Sequence, residues 1–308
     1  MRRLAYLFFT LLLICCSQDN IVQEDVIDNG GKNEGKGSYP IGLSRTISQG
    51  VTTREYILKV PESYTSDTTT PLLINFHGYG GSAFDYQQSV GGNYGLDALA
   101  DNETFFVAYP QAAFRQKGAN YWEPGDNGGN DIGLNDVYFV TQLIADIGQD
   151  YNIDTARIYA VGYSNGGMMA YSLACSRGDL FAAIGVMSGT MLAEDCNQDF
   201  ATSVVAFHGI GDEVLPYDGN QDYQSVSSDI NYWLNHNNIS PSSLITTALN
   251  NDGVKRDVYS GGTDDTSVVL YTIYSENNAS GGHVWFSAPI QGRTPNKILW
   301  DFLSQYSL

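Results

Sequence analysis

The chain has 308 residues, 43% of them hydrophobic, with 15 Lys and Arg against 34 Asp and Glu, a formal net charge of −19 at pH 7. That is enough apolar sequence for one large α/β domain, and too negative a surface to attract phosphate. Nucleic acid and anionic lipid surfaces are excluded as electrostatic partners, and no His/Cys group has zinc spacing, so neither a metal nor a cofactor is expected.

The N-terminus reads as an export signal over residues 1–15. Arg2 and Arg3 precede an apolar run too short to span a bilayer. Its end, Leu13-Ile14-Cys15-Cys16-Ser17, resembles the lipobox of bacterial lipoproteins. That implies cleavage before Cys16 and acylation of its thiol, with Cys15 as the other choice. The product would be exported and either lipid-anchored at the outer membrane or cell surface, or secreted. The membrane would be touched only through that anchor. Cys175 and Cys196 then remain, and two cysteines in an exported chain favour one disulfide over a metal site or a reactive thiol. The closed loop of about 21 residues is worth about 3 kcal/mol in the chain-entropy account.

Residues 16–45 are polar and glycine-rich with no apolar period, as expected of a flexible tether. From 46 to 308 strand-like and helix-like segments alternate without a repeat or a second shift in composition, as one domain. "REYILKVP" reads as an edge strand. "PLLINFHG" and "ETFFVAYPQA" are continuous apolar runs, as in strands buried on both faces. "DVYFVTQLIADIGQDY" spaces Val137, Val140, Ile144 and Ile147 for a helix face, with Asp136 as its N-cap. There follow a strand "ARIYAVGYS", a helix over 165–176, strands "FAAIGVMSG" and "TSVVAFHGIGD", a helix over 223–236, a strand "TSVVLYTIYS" and a helix over 296–305. This alternation implies βαβ units and a mostly parallel central sheet with helices on both faces. Sites on such sheets lie beyond the C-terminal strand ends.

The chemistry-bearing motifs fall at those ends. Gly162-Tyr163-Ser164-Asn165-Gly166 stands between a buried strand and a helix, the context in which G-x-S-x-G exposes a nucleophilic serine on a sharp turn. Ser164 needs a base, and there are four histidines. His236 sits in a polar helix end and reads as solvated, while His77 and His208 each end a strand in His-Gly and read as loop braces. His283, in "SGGHVWF" after the last strand, fits the base of a Ser…Asp…His chain order. Asp212 in "HGIGDEVLPY" is the expected acid, with Glu213 and Asp218 behind it. The oxyanion donors would be the N–H of Asn165 and that of Tyr79 in "FHGYGGS", or of Gly80. Trp122, Tyr163, Tyr217 and Trp285 are candidates to wall a cleft suited to an aromatic group, although a packed interior uses the same rings.

From "NDVYFVTQLIADIGQDYNIDTARIYAVGYSNGGMMAYSLAC" to "FAAIGVMSGT", with "HGYGGS", "HGIGDEVLPY" and "GGHVW" in order, the chain resembles a family of secreted esterases. That family joins polyhydroxybutyrate depolymerases of the LpqC type to the feruloyl and acetylxylan esterases of carbohydrate esterase family one. The resemblance spans about residues 50–305 and implies an α/β-hydrolase fold, a Ser164–His283–Asp212 triad and a Cys175–Cys196 bridge. It also implies a cofactor-free serine esterase acting on a feruloylated or acetylated polysaccharide, or on hydroxybutyrate oligomers. Family members often carry a separate polymer-binding module; none is expected here, and the domain is expected as a monomer. A non-catalytic glycan-binding lipoprotein on the same fold is the reading from another class; it would more readily have lost a triad residue, and all three are present.

Overall fold

The structure is a computed structural model that describes residues 42–50, 52–115, 117–124, 134–192, 196, 200–249, 251–274 and 281–308, within one compact unit. The export signal, Cys15, Cys16 and the tether up to residue 41 lie outside the described residues.

In chain order the elements are β1 (Leu43–Gln49), β2 (Thr52–Lys59), β3 (Thr70–Phe76), α1 (Ala83–Tyr86), α2 (Leu96–Glu103), β4 (Phe106–Pro110), β5 (Phe114–Arg115), β6 (Ala119–Asn120), α3 (Asp136–Asp150), β7 (Ile153–Tyr163), α4 (Asn165–Arg177), β8 (Ala183–Met187), β9 (Ser203–Gly209), α5 (Val226–His236), β10 (Ile245–Leu249), β11 (Val254–Ser260), β12 (Ser267–Ile273) and α6 (Pro295–Leu303). Ten strands form one sheet in the order β1-β2-β4-β3-β7-β8-β9-β12-β11-β10, and β5 and β6 pair separately as a short ribbon. The central strands β4, β3, β7, β8, β9 and β12 run parallel, and antiparallel strands extend both edges.

The apolar runs are explained by a sheet covered on both sides. Leu72, Ile74, Phe76, Ile158, Ala160, Val204 and Ala206 point into one apolar layer with α3, α4 and α5. Their alternating neighbours Leu73, Tyr159, Val161, Val205 and Phe207 point into the other, with α2 and α6. In β3, β4, β8, β9 and β12 the period of two therefore buries every residue rather than every second one.

Three expectations need correction. "REYILKVP" is not the edge: β2 lies between β1 and β4. The edge is β1, whose polar sequence buries only Ile47, so it carries no apolar signal and its first residues, from Leu43, look like tether in the sequence. The cap of α3 is Asn135, whose Oδ1 accepts the Tyr138 N–H at 2.7 Å. Asp136 is instead buried between Arg54 (2.8 Å) and Arg115 (2.6 Å). Finally, β10 and β11 enter between the acid motif and β12. Their sequences ITTAL and VKRDVYS lie at a sheet edge, where half-exposed polar residues are tolerated.

Candidate active site

Ser164 occupies the turn from β7 into α4 at φ 55°, ψ −121°, a conformation that non-glycine residues rarely adopt. The turn is locked from outside, since the Ser164 N–H donates to the Met187 carbonyl at 2.9 Å and its own carbonyl accepts from Met168 at 3.1 Å. A Cβ on Gly162 would stand 2.0 Å from the Gly166 oxygen, and one on Gly166 2.1 Å from the Phe76 oxygen. Only two glycines allow the strand, the turn and β3 to close around the serine.

Ser164 Oγ lies 2.8 Å from His283 Nε2, and His283 Nδ1 lies 2.8 Å from Asp212 Oδ2. The three side chains come from the ends of β7 and β9 and the loop after β12. Asp212 Oδ1 also accepts the N–H groups of Val214 (2.9 Å) and Leu215 (2.8 Å). Burial alone would raise the Asp212 pKa. The His208 and His283 rings and the Leu215 N–H outweigh it and hold the carboxyl well below the usual carboxylate range. The Tyr163 ring lies 5.2 Å from the His283 ring, and its hydroxyl donates to the His283 carbonyl at 2.8 Å. Burial, and then the Asp212 charge, push that phenol up to about 12, so it remains a donor.

The loop after β3 is braced by His77, as the His-Gly pattern suggests. The Ala112 N–H donates to His77 Nε2 at 3.1 Å, so the His77 proton sits on Nδ1 and is given to the Gly78 carbonyl at 2.7 Å. Burial lowers His77 to about 4, which keeps the ring neutral. The Gly80 N–H, the alternative to that of Tyr79 in the sequence reading, is committed to the Asn120 carbonyl at 2.7 Å. The Asn165 side chain pairs with the Trp122 backbone in both directions, at 2.7 and 3.0 Å, and so fixes the first residue of α4.

Of the four aromatic candidates, Tyr163 and Tyr217 adjoin the relay. The Tyr217 ring lies 5.9 Å from His208 and its hydroxyl 3.0 Å from Thr272 Oγ1. Trp122 and Trp285 do not wall a cleft. Trp122 is 1% exposed, wedged against Phe76 and His77, with its indole N–H on the His77 carbonyl. Trp285 is buried against Tyr86 and donates to Asn296. Their bulk fills space behind the loops. The open ring is that of Tyr79, 55% exposed and stacked on Tyr121 at 5.3 Å. His236 is not merely solvated, since its Nε2 donates to the Phe200 carbonyl at 2.9 Å. The Cys175–Cys196 disulfide is formed and ties the end of α4 to the chain ahead of β9. Among the described residues no group of three or more His, Cys, Asp or Glu is arranged to hold a metal.

Sequence reading missed the supports. The ribbon β5–β6 and the residue that follows it set Asn120 and Tyr121 against the loop after β3, where Asn120 Nδ2 also donates to the Gly81 carbonyl at 3.2 Å. That ribbon is anchored by Arg115, which donates to the Tyr121 carbonyl (2.9 Å) and pairs with Asp136 and Glu123.

The chain is 28% identical over 273 residues to a probable feruloyl esterase C of Aspergillus niger, covering 87% of this chain and 91% of that one. It is also 28% identical over 276 residues to feruloyl esterase C of Emericella nidulans, covering 89% and 92%. Among solved structures, an acetyl xylan esterase from Aspergillus awamori superposes with a TM-score of 0.60 at 16% identity, over 85% of this chain and 99% of that one, a likeness of fold. A thermostable esterase gives the same TM-score at 21% identity, over 86% and 63%. The sheet order and the covered faces are those of an α/β-hydrolase. The model of the family described as "Esterase PHB depolymerase" matches residues 55–246, more than half of the sequence, and the chain belongs to that family.

Proposed function

We propose that this esterase cleaves carboxylic esters carried on polysaccharide, feruloyl or acetyl, through a Ser164–His283–Asp212 relay and an acyl-enzyme. The observation that carries the reading is the unbroken chain of contacts from Asp212 through His283 to Ser164, 2.8 Å at each step. Ser164 Oγ attacks the ester carbonyl as His283 Nε2 takes its proton. Asp212 holds the imidazole in the Nδ1–H tautomer and stabilises the imidazolium. The Asn165 and Tyr79 N–H groups receive the oxyanion at the positive end of α4. His283 then protonates the leaving alcohol, and the same histidine activates water to release the acid.

The names of the fungal relatives and the exposed Tyr79 ring beside the oxyanion loop support a feruloyl or acetyl ester of a polysaccharide. The name of the matching family favours a second reading, hydroxyalkanoate oligomers. Comparing kcat/KM on methyl ferulate, acetylated xylan and hydroxybutyrate trimer decides between them. Ser164→Ala tests the relay itself: p-nitrophenyl acetate hydrolysis should disappear in a folded protein, and retained hydrolysis removes the triad reading.

The N-terminal pattern and the disulfide support export with attachment through a lipid on Cys16, the domain acting as a monomer beyond a tether. Processing that is insensitive to globomycin, with a soluble product, would refute the anchor.

A further inference from the structure

We propose that His208 is a positioning residue for the acid of the relay, an inference that rests on the triad reading above. His208 closes β9 four residues before Asp212 and is 2% exposed. Its Nε2 lies 2.8 Å from the Leu215 carbonyl oxygen and 3.3 Å from Asp212 Oδ2. A carbonyl only accepts, so the His208 proton is on Nε2, and that one N–H faces both oxygens. Oδ2 is also the atom that takes the His283 Nδ1–H.

Leu215 is thereby held at both ends. Its N–H grips Asp212 Oδ1 while its carbonyl is gripped by His208. Without His208, Oδ2 keeps His283 as its side-chain donor, and the buried Leu215 carbonyl loses the His208 donor. A carboxylate with a donor on each side of Oδ2 cannot swing about its Cβ–Cγ bond without losing contacts. That fixes the direction in which it meets the imidazole, the property on which relay geometry depends.

Among the described residues the charged and titratable surroundings are few. Asp212 faces His208, His283 and Tyr163. His208 faces Asp212 and Tyr217, and Tyr217 is in turn influenced by Lys255, Asp257 and Tyr274. His283 faces Asp212, Ser164 and Tyr163.

The experiment has two arms, run beside Ser164→Ala on p-nitrophenyl acetate. Long-range proton–nitrogen spectra of the unmodified protein, with only four histidines to assign, should find His208 as the Nε2–H tautomer. The Nδ1–H tautomer would leave Nε2 with no proton to give and overturns the proposal. In the second arm, His208→Met removes the donor at similar bulk, and His208→Gln restores an N–H near the place of Nε2. His208→Met should lower kcat about tenfold at unchanged KM. It should also move the acidic limb of kcat/KM up by about half a pH unit, because an Asp212 with fewer donors binds the imidazolium more strongly. His208→Gln should recover most of both changes. A His208→Met enzyme with wild-type kcat and limb, or a His208→Gln as impaired as His208→Met, overturns the proposal. If Ser164→Ala stays active, the triad reading has failed; if it is dead and His208→Met behaves as wild type, His208 alone has been misassigned. Should His208→Met not fold, the tautomer decides.

Discussion

A Cβ placed on Gly209 would stand 1.5 Å from the carbonyl oxygen of Gly281. These two residues join the end of β9 to the loop that carries His283. The Gly281 carbonyl accepts the Gly211 N–H at 3.1 Å, one residue before Asp212 and two before His283. The segments that carry Asp212 and His283 are therefore brought together by backbone contact before their side chains are oriented.

Gly209→Ala is expected to separate the two loops, because the added methyl meets backbone that cannot rotate away. Overpacking of this kind costs about 1–3 kcal/mol, and a displacement of about 1 Å at the relay costs on the order of a hundredfold in rate. Thermal unfolding and kcat on p-nitrophenyl acetate check this together. A folded Gly209→Ala enzyme with wild-type kcat contradicts it.

The strand ends, the elbow and the order Ser164, Asp212, His283 announce themselves because buried parallel strands write continuous apolar runs and the chemistry sits where they stop. The edges were illegible: β1, β10 and β11 are half-solvated and too polar to stand out from loop. The side-chain supports were illegible for a different reason. Asp136 looked like a cap because it stands at a helix start, and nothing local says that Arg54 and Arg115, 82 and 21 residues away, will converge on it. Trp122 and Trp285 were candidates for a wall because composition says which rings exist but not which way they turn.

The strain at Ser164 makes its own prediction. With φ at 55° and ψ at −121°, a side chain there costs on the order of 1–3 kcal/mol. Ser164→Gly should therefore be about 1 kcal/mol more stable than Ser164→Ala, after the entropy that glycine itself loses on folding. Both variants should be inactive, and denaturant unfolding of the pair isolates the backbone term. Equal stabilities would mean the turn is not strained.

Asp136 should matter more to the fold than its position outside the relay suggests. It is the shared acceptor of two guanidinium groups, both nearly inaccessible, and it also accepts the Glu123 N–H at 2.9 Å. Asp136→Asn leaves two buried cations facing a neutral amide, a loss of about 3–5 kcal/mol. Because Arg115 and Glu123 carry the segment that seats Tyr121 and Trp122, the damage should reach the oxyanion loop. KM and kcat are both expected to worsen in whatever fraction remains folded, while a variant as stable and active as wild type would show that the cluster is dispensable.

Asp229 gives stability a pH dependence whose sign is opposite to that from Asp212. It is buried on α5, accepting the Met191 N–H at 3.3 Å, and burial raises its pKa to about 7 despite hydrogen bonds from Thr190, Met191 and Gln224. The ordinary value in an unfolded chain is about 4, so between about pH 4 and about pH 7 the native state holds a proton that the unfolded state has given up. Stability then falls as pH rises through that window, by at most about 1.4 kcal/mol per unit, and levels off above it. Asp212 acts with the opposite sign: held below the usual range, it contributes stability above about pH 4 that is lost as pH drops further. Asp229→Asn keeps the shape and an acceptor for Met191 while removing the titration. Its unfolding free energy should match wild type near pH 4 and exceed it near pH 8. A difference that stays constant across that range would mean Asp229 ionises in the folded protein as it does in the unfolded chain.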